Sequence, residues 1–421
     1  MSTITSTPLA NGLVLHRLPR PGTQSVTVLV AFDAGARTEA REENGMAHFL
    51  EHLVFKGGEK FGDYRAVNEA AEHAGAVLNA YTSHDLVAFH ITARATKLVE
   101  AADLLSDFVA RPRIDPAELE KERGVVIQEI ARYADQPASV AEHLVDAAVF
   151  GDHPLGRPVL GPAEHLRDTF TREGILAFRA RRWVPSAGAA FIVGDPAVVG
   201  GPEADAAAAF FERFEAGATP PPVPPAPAFA ATVQVSERDS AQSHLRMSYR
   251  PSIDVRDPRQ RAALTIYATL LGGSMGSRLF DEIREQRGLA YSVGAYPHAH
   301  ADVPVLQLSA GLQSDKATEA FTRMREVVSD LREHGPRPEE VERARNFAAG
   351  ARAIAFENTN AIARNAAAQV IVFSESADPD AVIARLDAVT VEEVREVAAG
   401  IADELVVACV GPHRADDFPL D

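Results

Sequence analysis

The sequence is poor in cysteine and in long apolar runs. Its one cysteine cannot form a disulfide within the chain, and Cys409 lies in the run LVVACV, where we expect a small buried side chain. Runs such as this one are far shorter than the roughly 20 apolar residues that cross a bilayer. We therefore expect a cytoplasmic protein without a transmembrane helix.

Positive charge is also scarce. The chain has 42 Lys and Arg residues against 59 Asp and Glu, which gives a formal charge of −17. Phosphate backbones and anionic membrane surfaces repel such a chain. Nucleic-acid binding and membrane binding are therefore disfavoured.

The clearest division of the 421 residues is a proline-rich segment, AGATPPPVPPAPAFAA, at 216–231. Its prolines remove amide donors and favour an extended conformation, which is typical of a linker. We therefore predict an N-terminal domain at 1–215 and a C-terminal domain at 232–421.

Both domains have a similar predicted order of elements. The first half has strands near 13–18, 25–33, 76–82 and 86–93 and helices near 45–56, 63–74, 96–110 and 115–134. The second half repeats this order, with strands near 232–236, 243–249, 289–296 and 303–312 and helices near 258–271, 277–286, 314–333 and 338–356. Each half then ends in a helix followed by an apolar strand. We predict an α+β protein of two homologous domains, each a mostly antiparallel or mixed sheet flanked by helices.

The residues with the clearest chemistry lie in ENGMAHFLEHLVFKGG, where His48, Glu51 and His52 form an HxxEH pattern. At 100° per residue, these side chains leave a helix within an arc of about 100°. Two imidazoles four residues apart can bind one metal ion and leave the neighbouring carboxylate free to contact a metal-bound water. The alternative is a surface helix with two solvated histidines.

A zinc site with two histidines needs a third protein ligand, usually a carboxylate. In PAELEKERGVVIQEIARY, Glu122 and Glu129 are seven residues apart and share one helical face. The neighbours of Glu129 are largely apolar, so its carboxylate needs a partner. That partner is either a metal ion or an arginine such as Arg123 or Arg132.

This combination resembles the pitrilysin or insulinase family of zinc metallopeptidases, whose inverted motif is HxxEH. The segments GARTEAREENGMAHFLEHLVFKGG, GAVLNAYTSHDLVAFH and LGGSMGSRLFDEIREQRGLAYSV each resemble a characteristic block of the family. The two-domain layout is also similar, in particular to bacterial relatives of the mitochondrial processing peptidase β subunit.

The resemblance implies the roles of the site residues. His48, His52 and Glu129 would bind one Zn²⁺ per chain, Glu51 would be the general base, and Glu122 would support the ligands from outside the coordination sphere.

Two further groups of residues acquire roles from the resemblance. Arg284 and Tyr291 would bind substrate and stabilise the oxyanion, with Arg287 as an alternative to Arg284. Asn79, Ala80, Tyr81 and Thr82 would form an edge strand onto which an extended peptide adds.

The implied function is a zinc endopeptidase that cuts peptides or small unfolded polypeptides inside a closed chamber. Single-chain members of the family have four such domains, and this chain has two, which is half of such a clamshell. A homodimer, or a heterodimer with a related subunit, would therefore be needed. The alternative is a non-catalytic core subunit of the kind that the family contributes to respiratory complexes.

Overall fold

The computed structural model describes residues 3–420, in which eleven strands form two sheets. The strands are β1 (Thr5–Pro8), β2 (Val14–Pro19), β3 (Ser25–Phe32), β4 (Val77–Thr82), β5 (Val87–Arg94), β6 (Gly188–Gly194), β7 (Thr232–Glu237), β8 (Gln242–Tyr249), β9 (Ala290–Ala299), β10 (Pro304–Gln313) and β11 (Val406–Gly411).

Fourteen α-helices accompany the strands in the described residues. They are α1 (Met46–Val54), α2 (Tyr64–His73), α3 (Leu98–Ala110), α4 (Pro116–Ala134), α5 (Pro137–Phe150), α6 (Arg172–Arg182), α7 (Pro196–Val199), α8 (Pro202–Phe211), α9 (Pro258–Ala268), α10 (Ala317–His334), α11 (Pro338–Ala355), α12 (Thr359–Ala367), α13 (Pro379–Asp387) and α14 (Val391–Ala399). Short π-helical turns lie at Thr269–Gly273, Phe280–Glu285 and Ala368–Val372, among others.

The chain divides into two compact units. Unit 1 consists of the chain up to Ile130 together with Pro158–Val223 and Ala355–Pro379. Unit 2 consists of Ala131–Arg157, Pro224–Ile354 and the chain from Asp380 onward. The boundary between Val223 and Pro224 lies within the proline-rich segment, but each unit also includes one segment from the other half of the sequence.

Unit 1 is built on a mixed sheet in the order β1-β2-β6-β3-β5-β4. The pair β2–β6 is parallel and the other pairs are antiparallel. Alternate residues of β3, from Val26 to Phe32, are buried in a core shared with α1, α3, α6 and α8. Helix α12 packs against β3, β5 and β6, so unit 1 includes a helix from the second half of the sequence.

Unit 2 repeats this order without a counterpart of β1, as β7-β11-β8-β10-β9. Its parallel pair is β7–β11, which corresponds to β2–β6 in unit 1. Leu245 and Met247 of β8 are buried in a core shared with α9, α10 and α14, and α5 packs on β8 and β11. The predicted fold class, two mixed sheets flanked by helices, is confirmed.

Most predicted elements are present within a few residues. Helices α5, α7, α8, α12 and α13 and the short exposed strand β1 were not predicted. The helix predicted at 277–286 contains the π-helical turn Phe280–Glu285. Cys409 is fully buried on β11, as expected. Among the described residues, no helix has the length and apolarity to cross a membrane.

Candidate active site

Helix α1 carries the HxxEH residues along one side of unit 1. Ala47, Phe49, Leu50 and Leu53 are buried in the apolar core and fix the orientation of the helix. The opposite side therefore presents His48, Glu51 and His52. His48 is only 9% exposed, while Glu51 and His52 are half-buried.

Helix α4 brings a carboxylate to both imidazoles. Oε2 of Glu129 lies 3.5 Å from Nε2 of His52 and 3.8 Å from Nε2 of His48. One ligand atom from each of the three residues can be chosen so that all lie within 4.8 Å of one another. Of the arginines that sequence reasoning offered as alternatives, Arg123 bonds instead to Glu120 on its own helix.

This donor set fits zinc. Zn–N and Zn–O bonds of about 2.0–2.2 Å in a tetrahedral site place two ligand atoms about 3.4 Å apart, close to the 3.5 and 3.8 Å between the Glu129 oxygen and the two imidazoles. Two imidazole nitrogens and one carboxylate oxygen are the donors typical of catalytic zinc, which keeps a fourth position for water or substrate.

Glu122 orients one of the imidazoles. Its Oε1 is 2.9 Å from Nδ1 of His52, which leaves Nε2 of that ring directed toward Glu129. A carboxylate bonded to the other ring nitrogen is the usual outer partner of a metal-binding histidine. The geometry is therefore that of a support outside the coordination sphere.

Lys56 is a member of this network that sequence reasoning missed. Its Nζ is 2.5 Å from Oε2 of Glu122, whose Oε1 contacts His52. Burial alone would raise the pKa of Glu122, but the hydrogen bonds with His52 and Lys56 outweigh it and lower the pKa. Its position four residues after His52 is only a partial signal, because the contact with Glu122 depends on how helix α4 packs.

The two imidazoles have different electrostatic environments. Burial, assisted by the neighbouring His52, lowers the pKa of His48 to about 3, so its ring is neutral and its lone pair is available at neutral pH. Burial would also lower the pKa of His52, but the hydrogen bond to Glu122 and the charges of Glu51, Glu122 and Glu129 raise it overall.

Glu51 lies beside these donors and is held by strand β4. The hydroxyl of Thr82 donates a hydrogen bond of 2.5 Å to its Oε2. Burial raises the pKa of Glu51, against the lowering effects of Thr82 and His52. The carboxyl group is thus fixed and has an increased affinity for a proton.

Strand β4 is an edge of its sheet, as predicted. It pairs with β5 on one side, with Asn79 opposite His90 and Tyr81 opposite Ala88. Asn79 is exposed, and Thr82 binds Glu51. A further residue missed from the sequence is Arg364 of α12, whose guanidinium lies 4.3 Å from the centre of the Tyr81 ring.

In unit 2, Arg284 and Tyr291 lie next to each other. The guanidinium of Arg284 is 5.7 Å from the centre of the Tyr291 ring, and Tyr291 is 86% exposed. Arg287, the alternative partner, forms an ion pair with Glu282 at 2.6 Å. The contact with the Tyr291 ring therefore favours Arg284 as its partner.

Comparison with known proteins identifies the family of this chain. Residues 18–163 match the family model described as insulinase (peptidase family M16), and residues 169–347 match that of the peptidase M16 inactive domain. An uncharacterised zinc protease of Streptomyces coelicolor is 30% identical over 408 residues, which cover 94% of this chain and 87% of the relative. The chain belongs to the M16 insulinase family.

Solved structures share the M16 fold over nearly the full length. The peptidase M16 inactive domain from Pseudomonas fluorescens is 20% identical with a TM-score of 0.88, covering 98% of this chain and 99% of that one. A chain of complex III2 from Candida albicans, with Inz-5 bound, is 16% identical with a TM-score of 0.83, covering 99% of each chain. The fold alone therefore does not separate a peptidase from a subunit of a larger complex.

Proposed function

We propose that this M16 protein is a zinc-dependent endopeptidase that cleaves peptides and small unfolded polypeptides. The observation that carries the proposal is the convergence of His48, His52 and Glu129 on one position with Glu51 beside them. A core subunit that had lost catalysis would not need both a set of metal donors and an adjacent carboxylate.

The chemistry divides between the metal ion and Glu51. Bound zinc supplies Lewis acidity and lowers the pKa of a water molecule to about 7. Oε2 of Glu51, held by Thr82, accepts a proton from the attacking water and later passes it to the leaving amine. Glu122 keeps His52 in the tautomer that presents Nε2 to the site.

Substrate binds along β4 in this proposal. An extended peptide adds to the unpaired edge and hydrogen-bonds to the main chain of residues 79–82, which tolerates many sequences. Because Thr82 belongs to this strand and bonds to Glu51, peptide binding and the position of the base are linked through one residue. Arg364 supports the same strand by stacking on Tyr81.

Arg284 and Tyr291 are proposed to assist from the second domain. Tyr291 is highly exposed, so its hydroxyl is available to donate to the oxyanion that develops on the substrate carbonyl. The guanidinium of Arg284, 5.7 Å from the centre of the Tyr291 ring, is the second group proposed to bind substrate.

We propose a homodimer that encloses the substrate, since this chain carries both the metal donors and the Arg284–Tyr291 pair. Sedimentation equilibrium tests the dimer. Comparing the cleavage of one polypeptide in folded and unfolded form tests the enclosure. Rapid cleavage of the folded form would contradict a closed chamber.

A peptide mixture digested by the purified protein, with and without chelator, tests the proposed activity. Mass spectrometry should show internal cuts that disappear with chelator and return with zinc. The match to a complex III2 chain makes a non-catalytic core subunit the second candidate. Full zinc occupancy without any cleavage would support that candidate, and absence of zinc binding would exclude the proposed enzyme.

A further inference from the structure

The start of helix α1 has no cap of its own. The helix has nine residues and follows Gly45, whose φ of +97° is left-handed and whose position provides no side-chain hydrogen bond to the first turn. A helix of this length is marginal in isolation, and its first amide groups have no partner within the helix. His48 is the third residue of this turn.

Within residues 3–420, the side chain of His48 forms no hydrogen bond that would fix the ring in place of a helix cap. Its Nδ1 is buried without a hydrogen-bond partner among the described residues, whereas Nδ1 of His52 is fixed by Glu122. The position of the His48 ring therefore depends on the backbone of the first turn and on packing. Whatever holds that backbone also holds one of the three metal donors.

Glu39 supplies the missing cap from six residues before Gly45. Its Oε1 accepts a hydrogen bond of 2.7 Å from the amide of Ala47, and its Oε2 accepts one of 2.9 Å from the amide of Gly45. The amide side chain of Asn44 donates a third, at 3.2 Å. Glu39 is only 3% exposed, so water does not compete for these bonds.

The hydrogen-bonding pattern of Glu39 is that of an acceptor carboxylate. Burial raises its pKa to about 8 even though the bonds from Ala47, Gly45 and Asn44 lower it. All three neighbours donate, and both carboxyl oxygens accept. An ionised carboxylate satisfies them all, and its negative charge is favourable at a helix N-terminus.

We propose that Glu39 is a positioning residue of the metal centre, which holds the first turn of α1 and thereby places His48 for zinc binding. This inference rests on the proposed zinc site. The two imidazoles then have separate supports, since Glu39 acts on His48 through the backbone and Glu122 acts on the ring of His52.

Glu39→Gln tests the inference with little change in shape. The amide has one acceptor oxygen, so its NH₂ group must face a backbone N–H on one of the two sides. We expect zinc affinity, measured by chelator competition on the folded apoprotein, to fall about tenfold or more, as for other outer supports of metal ligands.

Asp107→Asn is the matched control. Asp107 is also a buried carboxylate of unit 1 that accepts backbone hydrogen bonds, in its case from Lys60 and Phe61, but it contacts none of the metal donors. A role in folding alone would lower the melting temperature of both variants and leave zinc affinity unchanged in both. We expect the control to keep zinc affinity within about twofold of wild type.

A second variant covers the case in which Glu39→Gln does not fold. Asn44→Ala removes one of the three bonds to the carboxylate and should lower zinc affinity about threefold. Wild-type affinity in the folded Glu39→Gln variant, or in Asn44→Ala if the first does not fold, would overturn the inference while leaving the proposed function intact. Failure of the wild-type protein to bind zinc would instead overturn the proposed function and this inference with it.

Discussion

Helix α4 in unit 1 and helix α11 in unit 2 hold the same place in the order of elements, but they meet different partners. On α4, Glu129 faces two imidazoles, and the carboxylate oxygen lies 3.5 and 3.8 Å from their nitrogens. On α11, the buried Glu340 receives two hydrogen bonds from Arg278, of 3.0 and 2.8 Å, and two from Arg337, one from its side chain and one from its backbone N–H.

The two carboxylates differ in the positive charge that neutralises them. A guanidinium is always charged, so the second unit neutralises its buried carboxylate with its own side chains. In unit 1 burial lowers the pKa of His48 to about 3, so its ring brings no charge to Glu129. A neutral His48 leaves Glu129 able to pair with a metal cation, whereas Arg278 and Arg337 already neutralise Glu340. Similar elements can therefore build either a candidate metal site or a structural ion pair.

The largest effect is expected from Glu51→Gln, which changes the base and leaves the metal donors intact. Turnover should fall by roughly 10²–10⁴-fold, because the amide cannot accept the proton of the attacking water. Zinc content and thermal stability should stay at the wild-type level. Retention of more than about a tenth of the activity would show that Glu51 is not the base.

Glu129→Gln and Glu122→Gln test which carboxylate binds the metal. Glu129→Gln should weaken zinc binding beyond the range of roughly 10–100-fold that is typical of outer partners, and Glu122→Gln should fall within it. Chelator competition on both variants measures this, with the exposed Glu120→Gln of the same helix as control. Equal affinities in the first two variants would contradict the assignment of Glu129.

Tyr291→Phe asks whether unit 2 contributes to the reaction as well as to the fold. If its hydroxyl donates to the developing oxyanion, turnover should fall by roughly 10²-fold, since one such donor is worth about 3 kcal/mol. Zinc stoichiometry and melting temperature should not change, because this side chain is highly exposed. Wild-type turnover would confine the chemistry to unit 1.

Glu340→Gln should lower stability without affecting zinc. Burial would raise the pKa of Glu340, but the hydrogen bonds from Arg278 and Arg337 outweigh it and lower the pKa from 4.5 to about 2. A depressed carboxyl pKa stabilises the folded state above pH 4.5, and this contribution is lost as pH falls through 2. The variant should therefore lose on the order of 3 kcal/mol at pH 7.

Urea denaturation followed by circular dichroism at several pH values measures this loss. The difference between the variant and wild type should shrink between pH 4.5 and 2. A difference that does not depend on pH would show that the ion pair is not its source.

The sequence was most informative where local patterns decide the structure. Apolar patterns predicted β3 and β8 nearly to the residue, and the four-residue spacing of His48 and His52 predicted that both lie on one side of a helix. Such patterns depend on helical and strand periodicity, which acts within a few residues of the chain. Glu129 was assigned as their partner through the family resemblance, and the structure brings it to both imidazoles.

Long-range contacts were not predictable in the same way. Helix α12 belongs to unit 1, far in sequence from the strand residue Tyr81 on which its Arg364 stacks. The contacts of Lys56 with Glu122, and of Glu39 with the start of α1, likewise depend on how loops fold back. Only the three-dimensional arrangement identifies these supporting residues.

Stepwise addition of zinc to the apoprotein, with peptide hydrolysis and bound zinc measured together, tests the central claim most directly. Activity should rise in proportion to bound zinc and stop rising at one equivalent per chain. His48→Ala should neither bind this equivalent tightly nor become active. Hydrolysis that persists in the zinc-free protein, or zinc bound at one equivalent in both proteins, would contradict a catalytic zinc centre at His48, His52 and Glu129.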